Sequence, residues 1–322
     1  MKRVAAIDCG TNSLRLLVAD VTVPEDTSGP GAAGELKDLE RRMEIVRLGQ
    51  DVDRTGRLAP EALERTFAVC REYAAVIKGL GAEQVRFVAT SASRDAENRE
   101  DFVRGVRDIL GVEPEVITGD QEAEFSFIGA TKELTGRADL ARPFLMVDIG
   151  GGSTEFVLGA DSVRAARSVD VGCVRMTERH LVHGGEISDP PTPGQISAMK
   201  ADIAAALDRA GETVPLDEAA TLVGLAGSVT TIAAIARGLE GYDSGAIHHS
   251  VISLAEVREI TERLLSSTHA ERAAIPVIHP GRVDVIGAGA LVLLSVMERT
   301  GAEQVIASEH DILDGIAWSL AG

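Results

Sequence analysis

The sequence predicts an α/β fold built from two similar halves. Three observations carry that expectation. The chain has 322 residues, enough for about two domains at roughly 100–200 residues each. Short β-prone apolar runs alternate with stretches of helical periodicity along its length. Two segments also recur in the same order. Asp8-Cys9-Gly10-Thr11-Asn12-Ser13 matches Asp148-Ile149-Gly150-Gly151-Gly152-Ser153 at an offset of 140, and Val88-Ala89-Thr90-Ser91 matches Val223-Gly224-Leu225-Ala226 at 135. Two matches in one order at nearly one spacing indicate a duplicated unit.

Each element has its own reason. Arg3 to Asp20 is apolar on both sides of the polar turn Asp8–Ser13 and predicts a hairpin. Pro24 to Lys37 is rich in Gly, Pro, Ala and acidic residues and predicts a long loop, with a third strand over Arg42–Leu48. From Pro60, Leu63, Phe67, Cys70, Ala74, Ile77 and Leu80 recur every three or four residues and share a helix face. Val85–Ala89 and Glu115–Ile117 read as short strands, Phe102, Val106 and Ile109 as a helix, and Asp120 to about Thr135 as another. Polar residues Gly136–Arg142 end the first half. The second opens on a strand at Phe144–Val147, a glycine-rich turn and a returning strand at Glu155–Leu158. Pro190–Pro193 opens a helix near Gln195, where proline suits a first turn. Leu222–Leu225 is a strand, Ser228–Arg237 a helix, and Val257, Ile260 and Leu264 mark a later one. Val285–Met297 is too short for the ~20 residues of a membrane span and predicts a buried helix.

Composition excludes some functions. Hydrophobic residues make up 45% and aromatics only 3%, so the core is aliphatic. A net charge of −18 excludes broad binding to nucleic acid or to an anionic membrane, both of which need basic surface. Cys9, Cys70 and Cys173 form no C-x-x-C and predict reduced thiols in a cytoplasmic protein. The apolar run Val4–Ile7 is too short for a secretion signal.

The turns carry the chemistry. Gly150, Gly151 and Gly152 either bare backbone N–H groups as a nest for phosphate oxygens, with Ser153 and Thr154 adding hydroxyls, or supply φ > 0 for a tight hairpin. A carboxylate such as Asp148 repels phosphate, so its part in the first reading is to hold hydrated Mg²⁺. The partner turn repeats the pattern with Asp8, Thr11, Asn12 and Ser13, and Arg15 follows as a bidentate phosphate clamp or a plain exposed arginine. Such turns would bracket a phosphorylated substrate in a cleft between lobes. Gly227-Ser228-Val229-Thr230-Thr231 follows a strand and opens a helix, a place for phosphate or for a serine N-cap. Arg94 holds the corresponding place in the first half. His180/His183 and His248/His249 have no third ligand at zinc spacing.

With Val171–Arg175, Gly119–Ala123 and Gly281–Asp284 added, these segments resemble the exopolyphosphatase/guanosine pentaphosphate phosphohydrolase family over essentially the whole chain. The resemblance implies a duplicated actin-like (ribonuclease H-like) α/β fold: two lobes with mixed sheets flanked by helices, and an interlobe cleft. It places the lobes at 1–125 and 126–322, with a helix at about 311–322 packing back on the first and no additional C-terminal helical domain. It implies Mg²⁺-dependent release of terminal orthophosphate from linear polyphosphate, with short chains preferred. Guanosine pentaphosphate 5′-phosphohydrolase, or a nucleotide-binding regulator with little hydrolysis, is the alternative. Glu122 matches the family's catalytic carboxylate, orienting or deprotonating water, with Glu155 assisting. Asp148 and Asp8 would anchor Mg²⁺ through waters. Thr11, Asn12, Ser13, Arg15, Arg94, Gly150, Gly151, Gly152, Ser153, Arg175, Gly227 and Ser228 would hold phosphates. A homodimer is implied. Leu313 departs from the pattern, standing where many relatives carry arginine.

Overall fold

The computed structural model describes residues 1–23, 34–134, 137 and 139–321. The chain forms two compact units, one of residues 1–136 with 311–322 and one of residues 137–310.

In the first unit, β1 (Lys2–Cys9), β2 (Ser13–Thr22) and β3 (Glu35–Ile45) form an antiparallel meander. Helices α1 (Val52–Thr55) and α2 (Pro60–Leu80) lead to β4 (Gln84–Ala89). Helices α3 (Ser91–Asp95) and α4 (Arg99–Leu110) lead to β5 (Glu115–Val116), and α5 (Gly119–Leu134) follows. The sheet order is β3-β2-β1-β4-β5, with β4 parallel to β1. Side chains alternate along β1 and β2 between two cores. Ala5, Ile7, Cys9, Leu14, Leu16 and Val18 join one with α2 and α4; Val4, Ala6, Leu17, Ala19 and Val21 join the other. A sheet buried on both faces explains the unbroken apolar run of β1.

In the second unit, β6 (Phe144–Ile149), β7 (Thr154–Gly159) and β8 (Val163–Val169) repeat the meander. Then come α6 (Cys173–Leu181), a ribbon of β9 (Val182–His183) and β10 (Glu186–Ile187), and α7 (Pro193–Gly211). Next are β11 (Thr221–Leu225), α8 (Ala226–Ala236), α9 (Ser244–Ile247), β12 (Val251–Ser253), α10 (Leu254–Ser266), α11 (His269–Ala273), α12 (Ile286–Thr300) and β13 (Gln304–Ala307). The sheet runs β12-β13-β11-β6-β7-β8. Read as β8-β7-β6-β11-β13, it repeats the first sheet. The Thr192 hydroxyl and the Gln195 side chain form the capping box that starts α7. The expected core helix is α12, in which Ile286–Leu294 is buried throughout. Among the described residues no helix is long and apolar enough to cross a membrane.

Some boundaries differ from the sequence expectation. The third strand begins at Glu35, so the expected loop over Pro24–Lys37 gives up its last residues to β3, and 24–33 lie outside the described residues. Of the polar stretch 136–142, residues 136 and 138 also lie outside them. Helix α5 runs through position 125. The final helix, α13 (Ile312–Ala321), belongs to the first unit, where it packs on α5 and β1. It follows β13 as α5 follows β5, so the two counterpart helices meet. Two glycines permit that meeting. A Cβ on Gly129 would overlap the Asp311 carbonyl oxygen, and one on Gly315 would overlap that of Phe125. Leu313 lies in the core beside Val4, Ala6 and Leu17 and is 1% exposed.

Backbone at this crossing cannot give way as a side-chain end can. Gly315→Ala should therefore lower stability by about 1–3 kcal/mol, the ordinary cost of overpacking. Urea unfolding of both proteins measures it; an unchanged midpoint would contradict this crossing.

Candidate active site

Both hairpins close in the same way. The Gly10 N–H donates to the Ser13 carbonyl at 3.0 Å, and the Gly150 N–H to the Ser153 carbonyl at 3.0 Å. Asp8 pairs with Arg15 across the first hairpin, and Asp148 with Glu155 across the second. The offset of 140 therefore holds at every position of the turn. The second offset splits in two. Thr90 and Leu225, 135 apart, are the N-caps of α3 and α8. Strand pairing instead sets Val88 opposite Asp8 and Leu225 opposite Asp148, 137 apart.

The first turn is braced from three sides. The Thr11 carbonyl accepts from Gly49 N–H at 2.8 Å, and that of Asn12 from Val46 and Arg47 at 3.0 and 2.8 Å. The Thr11 hydroxyl meets that of Ser91 at 2.8 Å. Gly49 cannot carry a Cβ without overlapping the Thr11 methyl group. Of the buried side-chain polar atoms that lack a hydrogen-bond partner among the described residues, Asp8 Oδ1 and Asn12 Nδ2 belong to this turn, and Ser93 Oγ to α3 of the same unit. Ser250 Oγ in the second unit is another. An unmet buried polar group costs about 1–3 kcal/mol, so two in one turn mark it as a place for a ligand that would meet them. Asp8 is 3% exposed, and burial pushes its carboxyl above the ordinary value against the pull of Arg15.

Arg15 is not the free clamp considered from the sequence. Its Nε and Nη2 donate to Asp8 Oδ2 at 2.9 and 2.6 Å, and Nη1 to Asp311 Oδ2. Binding phosphate would require these bonds to be given up. Glu122 lies in the first turn of α5, fixed there by a capping box. The Thr118 hydroxyl accepts from Gln121 N–H at 3.2 Å, and the Gln121 side chain accepts from Thr118 N–H at 3.0 Å. Arg94 Nη1 donates to Glu122 Oε2 at 3.3 Å and to the Ile117 carbonyl at 3.0 Å. Arg94 and Glu122, far apart in sequence, are thus brought together.

In the second unit, none of Gly150, Gly151 and Gly152 takes a left-handed φ. The tight-turn reason for glycine is therefore set aside, and the bare backbone remains. The Gly150 carbonyl accepts from Cys173 N–H at 3.0 Å, and that of Gly151 from Val174 and Arg175 at 2.9 and 3.0 Å. The loop thereby caps α6. A Cβ on Gly172 would stand 2.5 Å from the Gly151 oxygen. Arg175 Nε donates to the Gly152 carbonyl at 2.7 Å, and Glu155, 1% exposed, accepts from Ser168 at 2.7 Å. Asp148 and Ser153 are buried in the same hairpin.

Ser228 is not an N-cap. The cap is Leu225, without a side-chain bond, and Ala226 starts α8 at φ 65°. Ser228 and Ser93 each lie three positions after their N-cap, both buried. Gly227 rests against the Arg282 guanidinium, which a Cβ would overlap. Arg282 was not singled out from the sequence, although its segment Gly281–Asp284 was among the matching ones.

A divalent cation fits the first hairpin. A buried carboxylate oxygen without a donor is what hydrated Mg²⁺ takes, since that ion keeps most of its waters and uses one or two carboxylates. The described residues contain no group of three or more His, Cys, Asp or Glu able to hold a metal.

Residues 29–322 match the model of the Ppx/GppA phosphatase family. Exopolyphosphatase 2 of Mycobacterium tuberculosis is 50% identical over 332 aligned positions, covering 100% of this chain and 99% of that one. The crystal structure of an exopolyphosphatase-like protein superposes with TM-score 0.91 at 43% identity, covering 99% and 98% of the two chains. An Aquifex aeolicus Ppx/GppA family member gives TM-score 0.77 at 29% identity, again covering 99% and 98%.

The raised Asp8 carboxyl has a definite pH consequence. Its contribution to stability is fully present below its unfolded value near 3.8 and is lost as pH rises through its higher folded value. Asn cannot ionise, so the stability of Asp8→Asn relative to wild type should grow between pH 4 and pH 7. Urea unfolding across that range reads the trend; a relative stability that falls with pH would contradict it.

Proposed function

Because the chain belongs to the Ppx/GppA phosphatase family and has its duplicated actin-like α/β fold, we propose that it is an exopolyphosphatase. It releases terminal orthophosphate from linear inorganic polyphosphate by in-line attack of water. The observation that carries the reading is the orphaned pair Asp8 Oδ1 and Asn12 Nδ2, in a turn whose counterpart bears three glycines, with Ser93 Oγ of α3 likewise unmet. The 50% identity to exopolyphosphatase 2 supports polyphosphate as the substrate.

Phosphoryl transfer asks a protein chiefly for positioning and charge stabilisation. Glu122 orients or deprotonates the attacking water, and Arg94 holds its carboxylate in place. Glu155, anchored by Ser168, assists. Asn12 Nδ2 and Ser93 Oγ are donors ready for phosphate oxygens. Thr11, Ser13, Gly150–Ser153, Arg175, Gly227 and Ser228 take the same part through backbone N–H groups, hydroxyls and one guanidinium. Asp8 and Asp148 would hold Mg²⁺, which when bound would supply positive charge against the phosphates. The protein acts in the cytoplasm as a homodimer, an assembly that sedimentation at several concentrations reads.

A second reading, guanosine pentaphosphate 5′-phosphohydrolase, draws on the same phosphate groups and on the breadth of the family. Phosphate release in Mg²⁺ from short polyphosphate, long polyphosphate and guanosine pentaphosphate separates the two, short polyphosphate being turned over fastest. Glu122→Gln should lower the rate by about 10²–10⁴-fold, the usual contribution of a general base, with an unchanged melting temperature. A variant with wild-type turnover would remove Glu122 from the mechanism. Release of phosphate from guanosine pentaphosphate alone would replace the polyphosphate reading.

A further inference from the structure

We propose that Asp311 is a positioning residue for Asp8, acting through Arg15 to keep one oxygen of the Asp8 carboxylate open for a divalent cation. This rests on the reading of Asp8 as a metal-holding residue. Arg15 meets Asp8 unevenly.

An arginine facing a carboxylate ordinarily offers two parallel N–H groups to its two oxygens. Here Nε and Nη2 both converge on Oδ2, at 2.9 and 2.6 Å, and Oδ1 is left without a donor although Asp8 is 3% exposed. What holds the guanidinium in that attitude is visible. Its Nη1 donates to Asp311 Oδ2, so the group is drawn to one side of Asp8.

Asp311 is itself fixed. Its Oδ1 accepts from Leu313 N–H at 3.0 Å, capping the start of α13, and its own N–H donates to Asp314 Oδ2 at 3.0 Å. Asp314 in turn accepts from Arg41 Nη2 at 2.5 Å. Asp311 is 4% exposed and Asp314 1%. Each oxygen of Asp311 thus has its own task, one in the helix and one on Arg15. The final helix carries a steering group to the hairpin, and the Gly129 and Gly315 crossing seats that helix closely enough to do so.

Asp311→Asn separates the two tasks. Asparagine caps a helix as well as aspartate, so its Oδ1 keeps the bond from Leu313 and α13 stays docked. Its Nδ2 then faces a guanidinium donor and can no longer attract it. Arg15 is released to fork across both Asp8 oxygens and to fill Oδ1.

The test titrates Mn²⁺ into the full chain without substrate, reading bound metal by electron paramagnetic resonance. Melting temperatures are taken alongside. The expected result for Asp311→Asn is a Kd for Mn²⁺ weakened roughly tenfold, the lower end for loss of a group supporting a metal ligand, with the melting temperature held. The double variant Arg15→Gln/Asp311→Asn should regain affinity, because the side chain that fills Oδ1 is gone. A merely structural Asp311 predicts the opposite order, with the double variant worse than the single. Equal Kd values for wild type and Asp311→Asn would overturn the proposal and leave the metal reading intact. Absence of Mn²⁺ binding by the wild type would overturn both.

Discussion

A carboxylate buried at the end of a central strand is costly in any fold, and this chain builds one into each half. Asp8 is the last residue but one of β1 and Asp148 the last but one of β6, both almost wholly buried. Much of the first unit's detail serves to keep Asp8 there. The backbone of 46–49 holds the turn, Gly49 gives up its side chain to let it close, and Arg15 balances part of the charge. Even so, burial wins over the ion pair and one oxygen remains unmet. A fold selected for stability alone would place an apolar residue there. The retained strain is intelligible if the carboxylate has a cation to hold.

The duplication was legible in the sequence because the turn residues are local. A hairpin fixes Asp8, Gly10, Ser13 and Arg15 by strand register alone, and the same register recurs 140 positions on. The strong helices were legible for a similar reason, since α2 and α12 bury long periodic or continuous apolar sets. Strand β8 was missed. It reads Val-Arg-Ala-Ala-Arg-Ser-Val, an edge strand with mostly small or charged side chains and little period-two contrast. Strand β13 was missed because four residues carry no measurable period. The start of β3 was hidden by its charges, since an edge strand facing water needs few apolar positions.

The site was partly legible. Residue types and spacing marked the hairpins, but the partners of their side chains are set by contacts far apart in sequence. Arg15 meets Asp311, 296 positions away, and no local pattern announces it. Arg282 lies against Gly227 across a shorter but still non-local gap in the second unit. The N-cap alternative for Ser228 fell three positions late, because α8 begins with a left-handed Ala226, which a preference for serine caps does not foresee. The chain's net charge of −18 is no obstacle to a polyanionic substrate. Far-field repulsion is screened within about 8 Å at physiological salt, whereas hydrogen-bond donors and a bound cation act at closer range.

The central claim is that the orphaned atoms of the first hairpin and of α3 await a metal and a phosphate. It is tested most directly by crystals of Glu122→Gln grown with Mn²⁺ and short-chain polyphosphate, with data collected at the manganese absorption edge. The account predicts an anomalous peak beside Asp8 Oδ1, one coordinated water away, and phosphate oxygens within hydrogen-bond distance of Asn12 Nδ2 and Ser93 Oγ. Manganese and phosphate bound elsewhere in the chain, with Asp8 Oδ1 still unmet, would contradict it.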